Sequence, residues 1–418
     1  HSQFFNQVEK TPLTEEQQRA AIIFEDRNLL VAAAGSGKTS TLIGKVGYAL
    51  QRGLYKPNEI LVLAFNKKAT EDINERIEDR LKPWLNGQTV KAHTFHALGK
   101  AVIRQVARSR GESLRVADRK DEKPRMQAAL NELKQDKNFL SNWVMFNSLY
   151  REPLLPDDAF NSQEDYKKYV EQQVEVRRNG GPAAFMTLSG QVVRSGEELK
   201  IANWLFINGV PFEYESKFGP IPMAWDKYEP DFYYPDIGVW HEHFALDAQG
   251  KAPPHFDKDY AKHAEEKRQW LSSHARGRWF ETRSHQYREG GLFKHLKNTL
   301  IHFGQPFRPL SIDEIEDQIR KIGQTDNLDL FLDVLPLVKG NFINKRVFEQ
   351  CAEKTYDAER ARWFTKIFWP LYDTYNNRLS EESKIDFDDM IVQASQCLEQ
   401  AQFHSPYKLI LVDEFQDI

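Results

Sequence analysis

Apolar positions along this chain follow two periods. Short apolar runs bounded by small residues alternate with longer stretches in which apolar side chains recur every three or four positions. In NLLVAAAGSGKTSTLIGKVGYAL (28–50), the run Leu29–Val31 leads through Ala32–Gly37 to Lys38-Thr39-Ser40, where an amphipathic pattern begins. The order predicts strand, loop, helix. LVLAFNKKATEDINERI (61–77) predicts a second strand and helix, and LILVDEFQDI (409–418) predicts a buried strand ending on Asp413 and Glu414. KPRMQAALNELKQDKNFLSNWVMF, QEDYKKYVEQQVEVRRNGG and ARWFTKIFWPLYDTYNNRL read as charged helices. Residues 191–301 read differently: helix (195–210), β-like stretch (211–218), hairpin (228–246), helix (259–274), strand and final helix (276–300).

At 418 residues the chain predicts two to four domains. Its net charge of −4 neither favours nor excludes a polyanionic partner. Locally, residues 251–300 hold eleven Lys/Arg and five His against six Asp/Glu, a basic patch or a solvated helix face. Cys351 and Cys397 alone exclude a disulfide framework and fit a cytoplasmic compartment. No apolar run approaches the roughly 20 residues that cross a bilayer, so no membrane partner is expected.

The chemistry concentrates at two distant places. Gly35 and Gly37 let a loop curl with its N–H groups inward, and the helix that follows adds the partial positive charge of its N-terminus. With Ala34, Gly35, Ser36, Gly37, Lys38, Thr39 and Ser40, this predicts a phosphate-binding loop in which Ala32 replaces the usual first glycine. Lys38 would reach the β- and γ-phosphates and Thr39 would ligate Mg²⁺. Asp413 suits the second Mg²⁺ position, and Glu414 suits polarisation of the attacking water. ATP and Mg²⁺ are the expected cofactors.

AAAGSGKTS together with LVDEFQDI resembles the superfamily 1 DNA helicases of the UvrD/Rep type, the DNA helicase IV branch in particular. PLTEEQQRAA (12–21) is similar to the family's Q motif, which implies Gln17 at the adenine edge. LVLAFNKKATEDINERI resembles motif Ia, implying Phe65 and Asn66 against single-stranded DNA with Lys67 and Lys68 at phosphates. HTFHALGKAVI (93–103) resembles motif Ib, implying DNA contacts from His93, Thr94, Phe95 and His96. IDFDDMI (385–391) matches a segment preceding the second acidic strand, although Asp386, Asp388 and Asp389 read equally as helix caps.

The resemblance implies an α/β fold: a RecA-like domain 1A with a parallel sheet and helices on both faces, split into 1–105 and 385–418. Helical 1B regions are expected at 106–190 and 306–384. It further implies an ATP-dependent 3′–5′ DNA helicase acting on single-stranded and partly duplex DNA. With no second RecA-like domain before Ile418, the chain reads as a fragment that binds nucleotide weakly and does not unwind DNA alone.

Residues 191–305 resemble the PD-(D/E)xK nuclease fold in their element order. Asp231 and Glu242 then fall at the metal-binding positions, with Glu198 as a third acid. The family's lysine is missing two residues after Glu242, where Phe244 stands; Lys267 or Lys262 would have to replace it. A metal-dependent nuclease coupled to a motor, and a nucleotide-gated DNA-binding module without unwinding, are the alternative functions. A zinc site from His241, His243, His255 and His263 lacks recognised spacing.

Overall fold

A computed structural model describes residues 2–33, 35–85, 87–113, 115–154, 185–216, 229–254, 258–323 and 328–415, together with 160, 162, 164, 165, 167–169, 171, 172, 256 and 326. Its helices are α1 (Ser2–Phe5), α2 (Glu15–Ile22), α3 (Lys38–Gln51), α4 (Lys67–Leu85), α5 (Phe95–Ser109), α6 (Glu122–Leu133), α7 (Lys137–Met145), α8 (Gly196–Ile207), α9 (Tyr260–His274), α10 (Ser284–Arg288), α11 (Leu292–His302), α12 (Ile312–Lys321), α13 (Asp329–Gly340), α14 (Lys345–Ala352), α15 (Ala358–Glu381) and α16 (Phe387–Glu399). The strands are β1 (Ile60–Ala64), β2 (Ala92–Thr94), β3 (Arg115–Val116), β4 (Glu213–Tyr214), β5 (Phe232–Tyr234), β6 (Val239–Phe244), β7 (Trp279–Arg283), β8 (Lys384–Ile385) and β9 (Leu409–Val412). Two compact units result, one of 1–122, 336–342 and 379–418, the other of 123–335 and 343–378.

The first unit is built on a parallel sheet in the order β2-β1-β9. ILVLA of β1 is buried throughout, as a strand covered on both faces requires. Ile60, Val62 and Ala64 meet Ile43, Val46 and Ala49 of α3 and Ile73, Ile77 and Leu81 of α4 in one core. Asp386 caps α16, its side chain accepting from the Asp389 backbone N–H, so its expected capping role is present. Lys339 ion-pairs with both Asp386 and Asp389 and is buried together with Asp386.

One expected strand is absent. Leu29–Val31 is irregular and exposed, with Leu29 at 76% and Val31 at 83%. An apolar run becomes a strand only where a neighbour completes its hydrogen bonds, and among the described residues the sheet ends at β9 on one side and β2 on the other.

In the second unit, α8, β4, the β5–β6 hairpin, α9, β7 and α11 follow in the order expected from the sequence. The four-stranded sheet runs β4-β5-β6-β7, antiparallel except for the parallel β6–β7 pair. α9 is the crossover that a parallel pair needs. The predicted helix over 163–181 lies largely outside the described residues, as do Ala34 and His255.

Candidate nucleotide site and a buried acid pair

Parallel strands end on one edge of their sheet, and in the first unit that edge gathers the polar residues. The Asp413 backbone N–H donates to the Leu63 carbonyl at 2.8 Å, carrying the register of β9 past its last strand residue. The Asp413 carboxylate Oδ2 thereby accepts from Thr39 Oγ1 at 3.1 Å, joining residues 374 positions apart. Glu414 Oε2 stands 3.8 Å from Lys38 Nζ. Its backbone takes a φ of 51°, a left-handed conformation that side chains other than glycine adopt at a cost.

The loop itself needs its glycines. Gly35 and Gly37 have φ of 75° and 87°, and a Cβ at Gly37 would lie 2.6 Å from Gln17 Nε2. Gly37 is also the residue preceding α3, where no side chain caps the helix, so the N–H groups of the first turn face the loop without a side-chain acceptor. Ser36 Oγ donates back to the Ala33 carbonyl at 2.7 Å. Ser40 lies in the first turn of α3. Gln17 is held at both ends of its amide, with a second N–H and a second lone pair left over: its Oε1 accepts the Thr14 N–H at 2.9 Å and its Nε2 donates to the Ser36 carbonyl at 2.8 Å.

This donor set fits a nucleoside triphosphate and its Mg²⁺. Inward N–H groups and Lys38 suit phosphate oxygens, while the Thr39 hydroxyl and Asp413 carboxylate are the hard oxygen ligands Mg²⁺ takes. Among the described residues, no group of three or more His, Cys, Asp or Glu is placed to hold a metal ion. A cation here would complete its sphere with phosphate and water oxygens.

The residues expected to face DNA also line the C-terminal sheet edge. Phe65 is 53% exposed. Asn66 and Thr94 serve as helix caps, accepting the Ala69 and Ala97 N–H groups at 2.9 and 3.1 Å. Phe95 opens α5, and Lys67 and Lys68 are exposed. His93 is half-buried, and burial followed by the Lys91 charge lowers its pKa. His96 stacks on Phe387 at 3.9 Å, with Arg119 at 5.4 Å from the same Phe387 ring. Burial and then the Arg119 charge hold the pKa of His96 down.

In the second unit β5 and β6 bring Asp231 and Glu242 together. The Asp231 N–H donates to Glu242 Oε2 at 3.3 Å, and Asp231 Oδ2 accepts the His243 N–H at 2.6 Å. Lys267, on α9, ion-pairs with Glu242 Oε1, so of the two candidate lysines this one reaches the acids. Lys262 instead sits exposed, 4.0 Å from Glu266. Burial, then the charges of Glu242 and Glu198, push the Asp231 pKa well above the usual carboxylate range. Burial alone would lower Lys267, but Glu242 and Asp231 hold it above its ordinary value.

Glu198 does not join Asp231 and Glu242 as a third metal ligand. Ser195 Oγ donates to its Oε1 at 2.8 Å, and its Oε2 accepts from the Tyr214 hydroxyl and the Arg194 N–H. Its charge still reaches Asp231 and helps hold that carboxyl protonated. The zinc arrangement is likewise not formed by the described histidines: His241 and His243 both bond to Thr282, while His263 is exposed.

Sequence reasoning overlooked the polar chain behind this pair. Tyr234 O–H meets His241 Nδ1 at 2.9 Å, and His241 Nε2 meets Thr282 Oγ1 at 2.7 Å. Thr282 Oγ1 meets His243 Nδ1 at 2.8 Å, and His243 Nε2 meets Glu197 Oε2 at 2.7 Å. Burial raises the Glu197 pKa, but the bond and charge of His243 outweigh it, with help from Ser284, and the net shift is downward. The sequence signal was the alternation in VWHEHF, which puts His241 and His243 on one face of a buried strand.

The family model described as UvrD/REP helicase N-terminal domain matches residues 13–193 and 237–418. Residues 194–236, with Glu198 and Asp231, lie outside that match. DNA helicase IV of Escherichia coli (strain K12) is 45% identical over 105 residues, covering 25% of this chain and 15% of the relative. DNA helicase II of Rickettsia typhi is 34% identical over 92 residues, covering 22% of this chain and 13% of that protein. ATP-dependent DNA helicase Rep of Buchnera aphidicola subsp. Schizaphis graminum is 34% identical over 89 residues, covering 21% and 13%. The chain thus aligns with about one seventh of the length of these relatives.

Proposed function

The chain belongs to the UvrD/REP helicase N-terminal domain family, and on that premise we propose that its first unit is the ATP-binding part of a 3′–5′ DNA helicase motor. The observation that carries this reading is the pairing of Thr39 with Asp413 and of Lys38 with Glu414 across the sheet edge. ATP–Mg²⁺ would supply the γ-phosphoryl bond that is cleaved. Lys38 and the first-turn N–H groups hold phosphate oxygens, Thr39 and Asp413 hold the cation, and Glu414 accepts a proton from the attacking water. Gln17 reads the adenine edge. Phe65 offers a face on which a base of single-stranded DNA stacks, and His93, Thr94, Phe95 and His96 border the same track. The helices of the second unit correspond to domain 1B. Calorimetric titration of the chain with MgATP tests the reading: binding is expected, with roughly hundredfold loss in K38M. Equal binding by K38M would overturn it.

A second reading rests on the meeting of Lys267 with Glu242 beside Asp231. It makes residues 191–305 a PD-(D/E)xK-like module that cleaves DNA with a divalent cation. Two carboxylates with phosphate and water oxygens suit Mg²⁺, which commonly keeps several non-protein ligands. Lys267 would balance charge building on the phosphate. End-labelled single- and double-stranded DNA incubated with Mg²⁺ or Mn²⁺ decides it. Cleavage that disappears in D231A supports the module as a nuclease; binding without cleavage makes it a DNA grip served by the 251–300 basic patch.

A further inference from the structure

Lys45 lies in the apolar stretch LIGKVGYAL of α3, an unusual place for an ammonium, and it is buried. Its Nζ donates to the Ala20 carbonyl at 3.3 Å and to the Ile23 carbonyl, the last acceptors of α2. Those carbonyls have no partner within their own helix, and the helix end carries partial negative charge that a cation offsets. The same ammonium stands 4.4 Å from the centre of the Phe24 ring. Burial lowers its pKa from the ordinary lysine value.

The segment from Leu13 to Ile23 is therefore fastened at three points to α3 and the loop before it. At the start of α2, Gln17 Nε2 bonds the Ser36 carbonyl of the loop. Just before it, Leu13 packs where only glycine leaves room, since a Cβ at Gly44 would lie 2.6 Å from Leu13 Cδ1. At its end stands Lys45. From Gln17 to Ile23 the helix spans about 9 Å, so a tilt at the Lys45 end moves Gln17. Lys38 and Thr39 belong to α3 itself and do not depend on this fastening.

We propose that Lys45 is a positioning residue for base recognition: by holding the carbonyl end of α2 against α3, it sets where Gln17 meets the nucleotide base. The proposal rests on the reading of Gln17 as the adenine contact. Affinities of the chain for MgATP, MgGTP and Mg-tripolyphosphate separate the two. In Q17A and in K45M the ATP-over-GTP preference is expected to fall about tenfold. Tripolyphosphate affinity should stay within about a factor of two in K45M, and K45R should restore the preference. If K45M does not fold, K45Q, which removes the cation and shortens the side chain, carries the same comparison. A lower melting temperature with the base preference intact would mean that Lys45 only fills the core, and the proposal falls while the Gln17 reading stands. An unchanged preference in Q17A would remove the Gln17 reading, and this inference with it.

Discussion

Each unit sets a lysine against a glutamate, and the two pairs are built in opposite ways. Lys38 and Glu414 stand 3.8 Å apart with side chains 24% and 39% exposed, one on a helix start and one past a strand end. Lys267 closes directly on a Glu242 that is 1% exposed. The first pair faces solvent, where water already compensates both charges, so little folding free energy depends on it. In the second only the glutamate has been taken out of water: the Lys267 side chain stays 32% exposed, so it is the buried Glu242 that depends on the ion pair. A site of the first kind takes a ligand without giving anything up. A site of the second kind exchanges an internal partner for an external one.

The sharpest test of this contrast is K267M. It removes the ion pair from a buried Glu242 and should destabilise the second unit by about 1–3 kcal/mol, visible as a lower urea midpoint. The double variant K267M/E242Q should recover much of that loss, and a loss equal to the sum of the singles would contradict the coupling. G37A comes next. The left-handed φ of 87° and the contact with Gln17 should cost about 1–3 kcal/mol, together with nucleotide binding, read by melting with and without MgATP.

D231N should act in the opposite direction. A carboxyl whose folded pKa lies above its unfolded value binds its proton more tightly in the fold, so the native state loses stability as pH rises through that window. Removing the titration should stabilise the unit by about 1 kcal/mol near neutrality, a rise of about 2–4 °C in melting temperature. The gain should shrink toward acid pH; a gain that grows there would refute the sign. The smallest effect is expected for K38M, within about 1 kcal/mol of the parent in stability. Loss of nucleotide binding with intact folding is the signature of an open site.

The glycine-rich loop before α3 was legible in the sequence because its pattern is local: Gly35, Gly37, Lys38 and Thr39 lie within one loop-to-helix turn. Asp413 needed only an apolar run to announce it. The order of elements in 195–300 was also readable, since each has its own period and turn residues. What could not be read was tertiary. Nothing near Glu242 in sequence says that Lys267 rather than Lys262 turns inward; their different faces of α9 decide it. Leu29–Val31 failed as a strand because apolar character does not supply a neighbour. Lys45 was passed over because a cation in an apolar helix has meaning only once α2 is seen ending on it.

The chain from Tyr234 to Glu197 has one more property, a direction. An ionised Glu197 only accepts, so His243 must give it the proton on Nε2. Where the His243 Nδ1 accepts from Thr282, Thr282 accepts from His241, and His241 accepts from Tyr234. Every donor is then used, and all four protons point the same way. Three strands and one helix start thus share a single polarity, like dominoes set in one row.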